Sequence, residues 1–200
     1  MSKDFYFEGG QFEEKIATIF IDNGYPTELF PVDKFNKDFE IDNASYNRVF
    51  GDGKTIVGNN FIFNWDAKLH GFISLSSACG FRGKYYIVSE KSVGGSKEEF
   101  DLKRVWVVPS SAVRLTFDKI LNDIGRKGLD IGPASGEEGL YLNLNGDMEG
   151  PISRLYKWAT KMNFKQFIEN KCIFNQNINR REAIEELERL EKSKGDLASI

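Results

Sequence analysis

Apolar residues recur at helical spacing at Phe12, Ile16, Ile19 and Phe20, so "GGQFEEKIATIFIDNGY" predicts an amphipathic helix that "DNG" at 22–24 stops. Beyond Pro26 and Pro31 the period shortens. "KDFEI" alternates as a strand does, and "YNRVFGDGKTIVGNNFIFNWDAKLHG" predicts strands about a tight turn at Gly51-Asp52-Gly53, then a long strand from about Phe61. "FISLSSACGF" suits a short helix or a loop. "KYYIVSE" and "RVWVVP" predict two strands joined by the polar loop "KSVGGSKEEFD". "LTFDKILNDIGRKG" predicts a helix ending near Gly125 or Gly128, and "GLYLNLNGD" a strand turning at Asn145-Gly146. "PISRLYKWATKMNFKQFIENK" predicts a further helix with Pro151 in its first turn. "NRREAIEELERLEKSK" predicts a last, charged helix with a narrow apolar stripe of Ile184, Leu187 and Leu190.

Alternation along the long strand sorts its chemistry. Phe61, Phe63, Trp65, Ala67 and Leu69 share one face, while Ile62, Asn64, Asp66, Lys68 and His70 share the other. A carboxylate and an ammonium thus point the same way, roughly 7 Å apart along the strand. "KDFEID" supplies a second acidic face with Asp38, Glu40 and Asp42. Two neighbouring carboxylates repel unless a cation lies between them. Oxygen ligands without His or Cys suit magnesium, or manganese. Glu13 borders the apolar stripe of the first helix and is the better-placed third acid, since Glu14 points closer to solvent. The plain alternatives are a surface salt bridge for Asp66 and Lys68, a solvated sheet face for the upstream acids, and an ordinary helix charge for Glu13.

Composition narrows the setting. The chain has 200 residues, 40% of them hydrophobic and 17 of them Phe, which is enough for one domain with a substantial core. A net charge of −3 argues neither for nor against an anionic partner, though a protein that merely coats nucleic acid would be far more basic. Cys79 and Cys172 lie far apart in the sequence, and a single His excludes a multi-His zinc site. "MSKDFYFEGG" lacks the apolar core of a signal peptide and no run reaches the length of a membrane span, so the expected setting is cytoplasmic, with no membrane.

A helix carrying Glu13, then "KDFEI", then an apolar strand ending in "DAK" resembles the PD-(D/E)XK nuclease superfamily, over about residues 10–113. The resemblance implies an α/β domain with a central mixed sheet flanked by helices, of restriction-endonuclease type. Asp38 matches the family's first acid, Asp66 and Lys68 its acid-x-lysine pair, and Glu13 the helix acid of many members. Lys37 stands where a proline is usual, and Asp42 and Glu40 share the face of Asp38 as alternatives. "RVWVVPS" resembles a strand that follows the active site in many members.

The implied activity is magnesium-dependent hydrolysis of DNA phosphodiester bonds. A lone domain of this length resembles type II restriction endonucleases, which implies double-stranded DNA and a homodimer on a palindromic target. Residues 114–200 would then serve recognition or dimerisation. Holliday-junction resolvases and repair nucleases use the same site, and a non-catalytic DNA-binding protein on the same fold is the alternative outside enzymes. His70 and Asn64 extend the catalytic face. Ser89 and Lys91 are candidate DNA contacts, equally readable as loop residues; Lys97 is a further candidate in a loop that reads better as a simple strand connection, and Arg126 and Lys127 are candidates whose plain reading is a solvated helix end.

Overall fold

The computed structural model describes residues 3–30, 49–59, 61–69, 71–90, 102–123, 140–143, 154–157 and 160–175. Helix α1 (Lys3–Asp22) is longer than its apolar stripe. Phe12, Ile16 and Phe20, four residues apart, are all sunk in the core. The helix stops where Asn23 Nδ2 donates back to the Ile19 carbonyl at 2.8 Å and Gly24 takes the left-handed conformation, φ +82°.

Strands β1 (Thr27–Leu29), β2 (Gly53–Val57) and β3 (Phe61–Lys68) pair antiparallel in sequence order. The chain then crosses over through β4 (Phe72–Ser74) and helix α2 (Leu75–Gly80) to lay β5 (Tyr85–Ser89) parallel to β3. A parallel pair requires such a crossover. β6 (Val105–Pro109) returns antiparallel, and Met162–Asn163, here β9, adds the last edge. The result is a mixed six-stranded sheet in the order β1-β2-β3-β5-β6-β9. β7 (Leu140–Asn143) and β8 (Arg154–Lys157) form a second, three-stranded sheet with β4. Helices α3 (Ser110–Asp123) and α4 (Phe164–Glu169) complete the described elements.

Both faces of the large sheet are covered. Phe63, Trp65, Tyr85, Ile87 and Val107 pack with α1 and with Phe164 and Phe167 of α4. Tyr86, Val88 and Val108 pack on the opposite face with Leu75 and Ala78 of α2, Val113 and Phe117 of α3, and Leu140 and Leu142 of β7. All five residues of β5 are buried, as a strand sandwiched between two helical layers demands. Fully burying a side chain such as Phe63 contributes about 1.5–3 kcal/mol, so the two cores hold β3 and β5 rigidly at the centre.

Two sequence expectations change. Gly51-Asp52-Gly53 is not the hairpin turn: β2 begins at Gly53, and the turn follows Val57, with Gly58 at φ +63°. The glycines at 51 and 53 answer to packing instead. A Cβ at Gly51 would lie 2.3 Å from the Trp65 carbonyl oxygen, and one at Gly53 would lie 2.5 Å from the Trp65 ring. The helix expected over 151–171 is shorter, because residues 154–157 run as β8 and Asn163 caps α4, its side chain accepting from Lys165 N at 3.0 Å. That cap is anchored: Asn163 Nδ2 donates to the Lys103 carbonyl at 3.0 Å. "FISLSSACGF" is strand then helix, with Ser74 Oγ capping Ser77 N at 3.2 Å. The last charged helix and the turn at Asn145-Gly146 fall outside the described residues.

Candidate active site

The expected alternation of β3 holds. Phe63 and Trp65 enter the α1 core, and Asp66 points to the opposite face, level with Tyr86 on β5. That face is covered too, so Asp66 is only 5% exposed. Lys68 Nζ lies 2.7 Å from Asp66 Oδ1, with the lysine side chain 31% exposed. This is therefore not the surface salt bridge of the plain reading. Among the described residues Asp66 Oδ1 accepts no hydrogen bond of good geometry beyond that ion pair, and Oδ2 accepts from Ser77 Oγ at 3.5 Å.

Among the described residues, the acid that meets Asp66 across the strands is Asp52. The β2–β3 register pairs Gly53 with Trp65, and one step further sets Asp52 opposite Asp66. Asp52 N donates to the Trp65 carbonyl at 2.9 Å, and Ala67 N donates to Asp52 Oδ2 at 2.7 Å. Its carbonyl accepts from Phe30 N at 2.8 Å, which ties it to the end of β1. The flanking glycines permit this approach, since side chains there would strike Trp65. The two carboxyl groups thus face each other across the strand pair, where like charges repel. Burial, then the charge of Asp66, pushes Asp52 well above the usual carboxylate range.

Glu13 joins the same field. It is half-buried on α1 between Phe12 and Ile16. Burial, then the charge of Asp66, raises its pKa from 4.5 to about 7, with Lys68 pulling the other way. Burial alone would push Lys68 down, but Asp66 and then Asp52 outweigh it and leave its pKa raised. Lys68 is thus an ammonium at neutral pH and a donor of hydrogen bonds.

The strand neighbours of β3 are β2 and β5, so the partner acid arrives at the start of β2. Asp38, Glu40, Asp42, His70, Lys91, Lys97, Arg126 and Lys127 lie outside the described residues. Asn64 sits opposite Lys54 on β2, two residues before Asp66, where its carbonyl accepts from Lys84 N at 2.8 Å. Ser89 is buried and donates to the Glu90 carbonyl at 3.1 Å, so it is no surface contact for DNA. Sequence reasoning missed Asp52 because it spent "GDG" on a turn. Counting back from a turn at Gly58 instead sets Asp52 against Asp66.

Among the described residues no group of three or more His, Cys, Asp or Glu stands as a ready metal cage. Magnesium does not require one, because it binds through one or two carboxylates and keeps several waters. A half-buried and a buried carboxyl group facing each other, with an ammonium alongside, fit such an ion: a cation between them relieves the repulsion. Among the described residues no helix is long and apolar enough to cross a membrane. No protein-family model matches the chain, and no curated protein or solved structure matches it either.

Proposed function

We propose that the protein is a magnesium-dependent endonuclease that hydrolyses phosphodiester bonds of double-stranded DNA, with a restriction-endonuclease-like fold of PD-(D/E)XK type. One observation carries this reading: half-buried Asp52 faces buried Asp66 across the strand pair, beside the Lys68 ammonium. The antiparallel hairpin that presents the first acid, and the D-x-K that ends the next strand, support it in the same order along the chain. In this reading Asp52 serves as a first-strand acid, the role the sequence reading gave to Asp38, which lies outside the described residues.

Asp52 and Asp66 would hold the magnesium, with manganese as a substitute, and Glu13 would reach it directly or through a water. When bound, the ion supplies polarisation of a phosphoryl oxygen and a lowered pKa for a coordinated water. Water adds to phosphorus, the bond to one ester oxygen breaks, and that oxygen leaves with a proton from solvent or an acid. Lys68 does not take the water's proton, because its ammonium is stabilised by two acids. It orients the attacking water through its N–H groups and offsets the charge gathering on the phosphate. Where Glu13 reaches the ion only through a water, its raised pKa suits it to accept the attacking water's proton. A homodimer follows if the target is a palindrome cut on both strands.

Incubation of plasmid, linear duplex and four-way-junction DNA with the protein, with and without magnesium, tests the proposal. Discrete duplex fragments that vanish with EDTA and with Asp66→Asn are expected. Cutting only at the junction would move the assignment to a resolvase. No magnesium-dependent cleavage of any substrate would end the nuclease reading and leave a binding protein.

A further inference from the structure

A cleft lies away from the acids, at the start of β3 and β5. Phe61, Lys84, Tyr85, Ser110, Ser111 and Phe174 line it, and its volume of about 420 Å³ is that of a small-ligand site. Asp66 stands five residues along β3 from Phe61, roughly 16 Å by the rise of a strand, and on the other face of the sheet. The walls are aromatic. Tyr85 and Phe174 are buried, with ring planes 27° apart and centroids 6.4 Å apart, while Phe61 is 41% exposed. Lys84 sets a charge in this apolar frame. Its Nζ lies 4.1 Å from the centre of the Phe61 ring and 5.6 Å from that of Tyr85. Among the described residues no carboxylate pairs with it, and burial holds its ammonium below the usual lysine range. The lysine backbone is fixed on both sides: its N donates to the Asn64 carbonyl at 2.8 Å, and its carbonyl accepts from Ser110 N at 2.9 Å. Ser110 Oγ donates to the Gly83 carbonyl at 2.6 Å, whereas Ser111 is exposed.

The complement of such a surface is a flat ring that carries an anion. Every nucleobase has a face that stacks on an aromatic side chain, and an ammonium with a hydroxyl nearby suits a phosphate. We propose that the cleft holds one unpaired nucleotide of a DNA strand, its base against Phe61 and its phosphate on Lys84 and Ser111. The proposal rests on reading DNA as the substrate, and it names the form of that DNA: a duplex with at least one base outside the pairing. A base inside a duplex is stacked on both faces and has none to offer Phe61. Sites for single strands combine the same two parts, a cationic contact to the backbone and an aromatic platform for the base. The cleft and the acids, at opposite ends of β3, would then engage one DNA at two points.

Fluorescence anisotropy in EDTA, with a blunt duplex and the same duplex bearing a short thymidine tail on either strand end, tests the cleft. The tail is expected to tighten wild-type binding about ten-fold, within the range that stacking one base provides. Phe61→Leu keeps the apolar bulk but loses the flat face, and is expected to abolish the advantage of the tail; Phe61→Tyr should keep it. Lys84→Met should reduce that advantage and lower the slope of log affinity against log salt for the tailed duplex by about one. Thermal midpoints within a few degrees of wild type show that the variants are folded. A wild type that binds tailed and blunt duplexes equally, or a Phe61→Leu protein that keeps the full advantage, would overturn the cleft. So would free thymidine monophosphate erasing the advantage at micromolar concentration, which would assign the cleft to a free nucleotide instead. If the wild type binds neither duplex, the DNA reading falls and the cleft with it. If it binds the blunt duplex and the tail adds nothing, only the cleft falls.

Discussion

Two ion pairs on the same sheet have the same length and opposite meaning. Lys54 Nζ meets Glu28 at 2.7 Å across β1 and β2, and Lys68 Nζ meets Asp66 at 2.7 Å at the end of β3. The lysine side chains are alike, 35% and 31% exposed, but the Glu28 side chain is 64% exposed and that of Asp66 only 7%. The first pair is a cross-strand contact in water, with a value of about 0–1 kcal/mol. The second draws a carboxylate out of solvent and sets another carboxyl, Asp52, against it. Taking charges out of water costs several kcal/mol per ion, and hydrophobic residues often serve stability equally well. A chain that keeps such a cluster at the end of a rigid strand keeps it for something other than stability. Distance alone would have graded the two pairs as equal; burial and the extra acids separate them.

The largest expected effect breaks the second pair at its acid. Asp66→Asn removes a proposed ligand but keeps the shape. If a bound cation supplies several kcal/mol of transition-state stabilisation, magnesium-dependent cleavage falls roughly a thousand-fold or more. The same change relieves the repulsion with Asp52, so the metal-free protein should lose little stability or gain some. A nuclease assay beside a urea melt in EDTA reads both. A large loss of stability with cleavage intact would make Asp66 a structural residue.

Lys68→Met comes next. It strands Asp66 beside Asp52, and breaking a buried pair from one side costs several kcal/mol. Because the pair can take up a proton, the expected loss is about 2–3 kcal/mol at pH 7, shrinking as the pH falls. Denaturant unfolding at pH 5 and pH 8 measures it. Equal losses at the two pH values would show that no acid is left stranded.

A third test uses the proton itself. Glu13 is raised from 4.5 to about 7, and Asp52 is raised as well. A group with a raised folded-state pKa binds more protons folded than unfolded, so its contribution to stability is complete below the unfolded value and is lost as pH rises through the folded one. The metal-free protein should therefore lose the Glu13 contribution from about pH 4.5 to 7, the reverse of common acid unfolding, with Asp52 adding a loss of the same sign as pH rises through its own raised value. Glu13→Gln should flatten that slope without changing the value at low pH. Manganese affinity should rise over the same interval, because ion and proton compete for the acids. A melt series in EDTA showing stability rising from pH 5 to 7 would contradict the raised acids.

How far the sequence reveals this depends on what each feature needs. The two faces of β3 are legible because alternation is local: Phe63 and Trp65 inward on one side, Asp66 and Lys68 on the other. α1 is legible for the same reason, through Phe12, Ile16 and Phe20. The partner acid is not local. It depends on which residues make the hairpin turn, and "GDG" and "VGNN" both carry turn chemistry. Only the collision of Gly51 and Gly53 with Trp65 shows that the first pair of glycines serves close approach. Nor did alternation disclose that the polar face of β3 is covered. That follows from the crossover, which lays α2 and α3 over Tyr86 and Val88. The parting of 154–157 from α4 likewise rests on Asn163 reaching the carbonyls before β6, a contact 60 residues distant in sequence.

The smallest expected effect completes the contrast. Lys54→Met breaks the exposed pair with Glu28, which screening and side-chain entropy already weaken. Its expected cost is below about 0.5 kcal/mol in 0.15 M salt and smaller still at 1 M. Manganese affinity and cleavage should match wild type, since Lys54 pairs with Glu28 and is not among the charges that act on Asp52. Measuring Lys54→Met and Lys68→Met in the same urea series turns the comparison into one number, the difference between two lysine deletions at equal contact distance. A difference of about 2 kcal/mol assigns the effect to burial and to the second acid. No difference would mean that Lys68 is as well hydrated as Lys54, that Asp66 needs no countercharge, and that the end of β3 is an ordinary sheet edge.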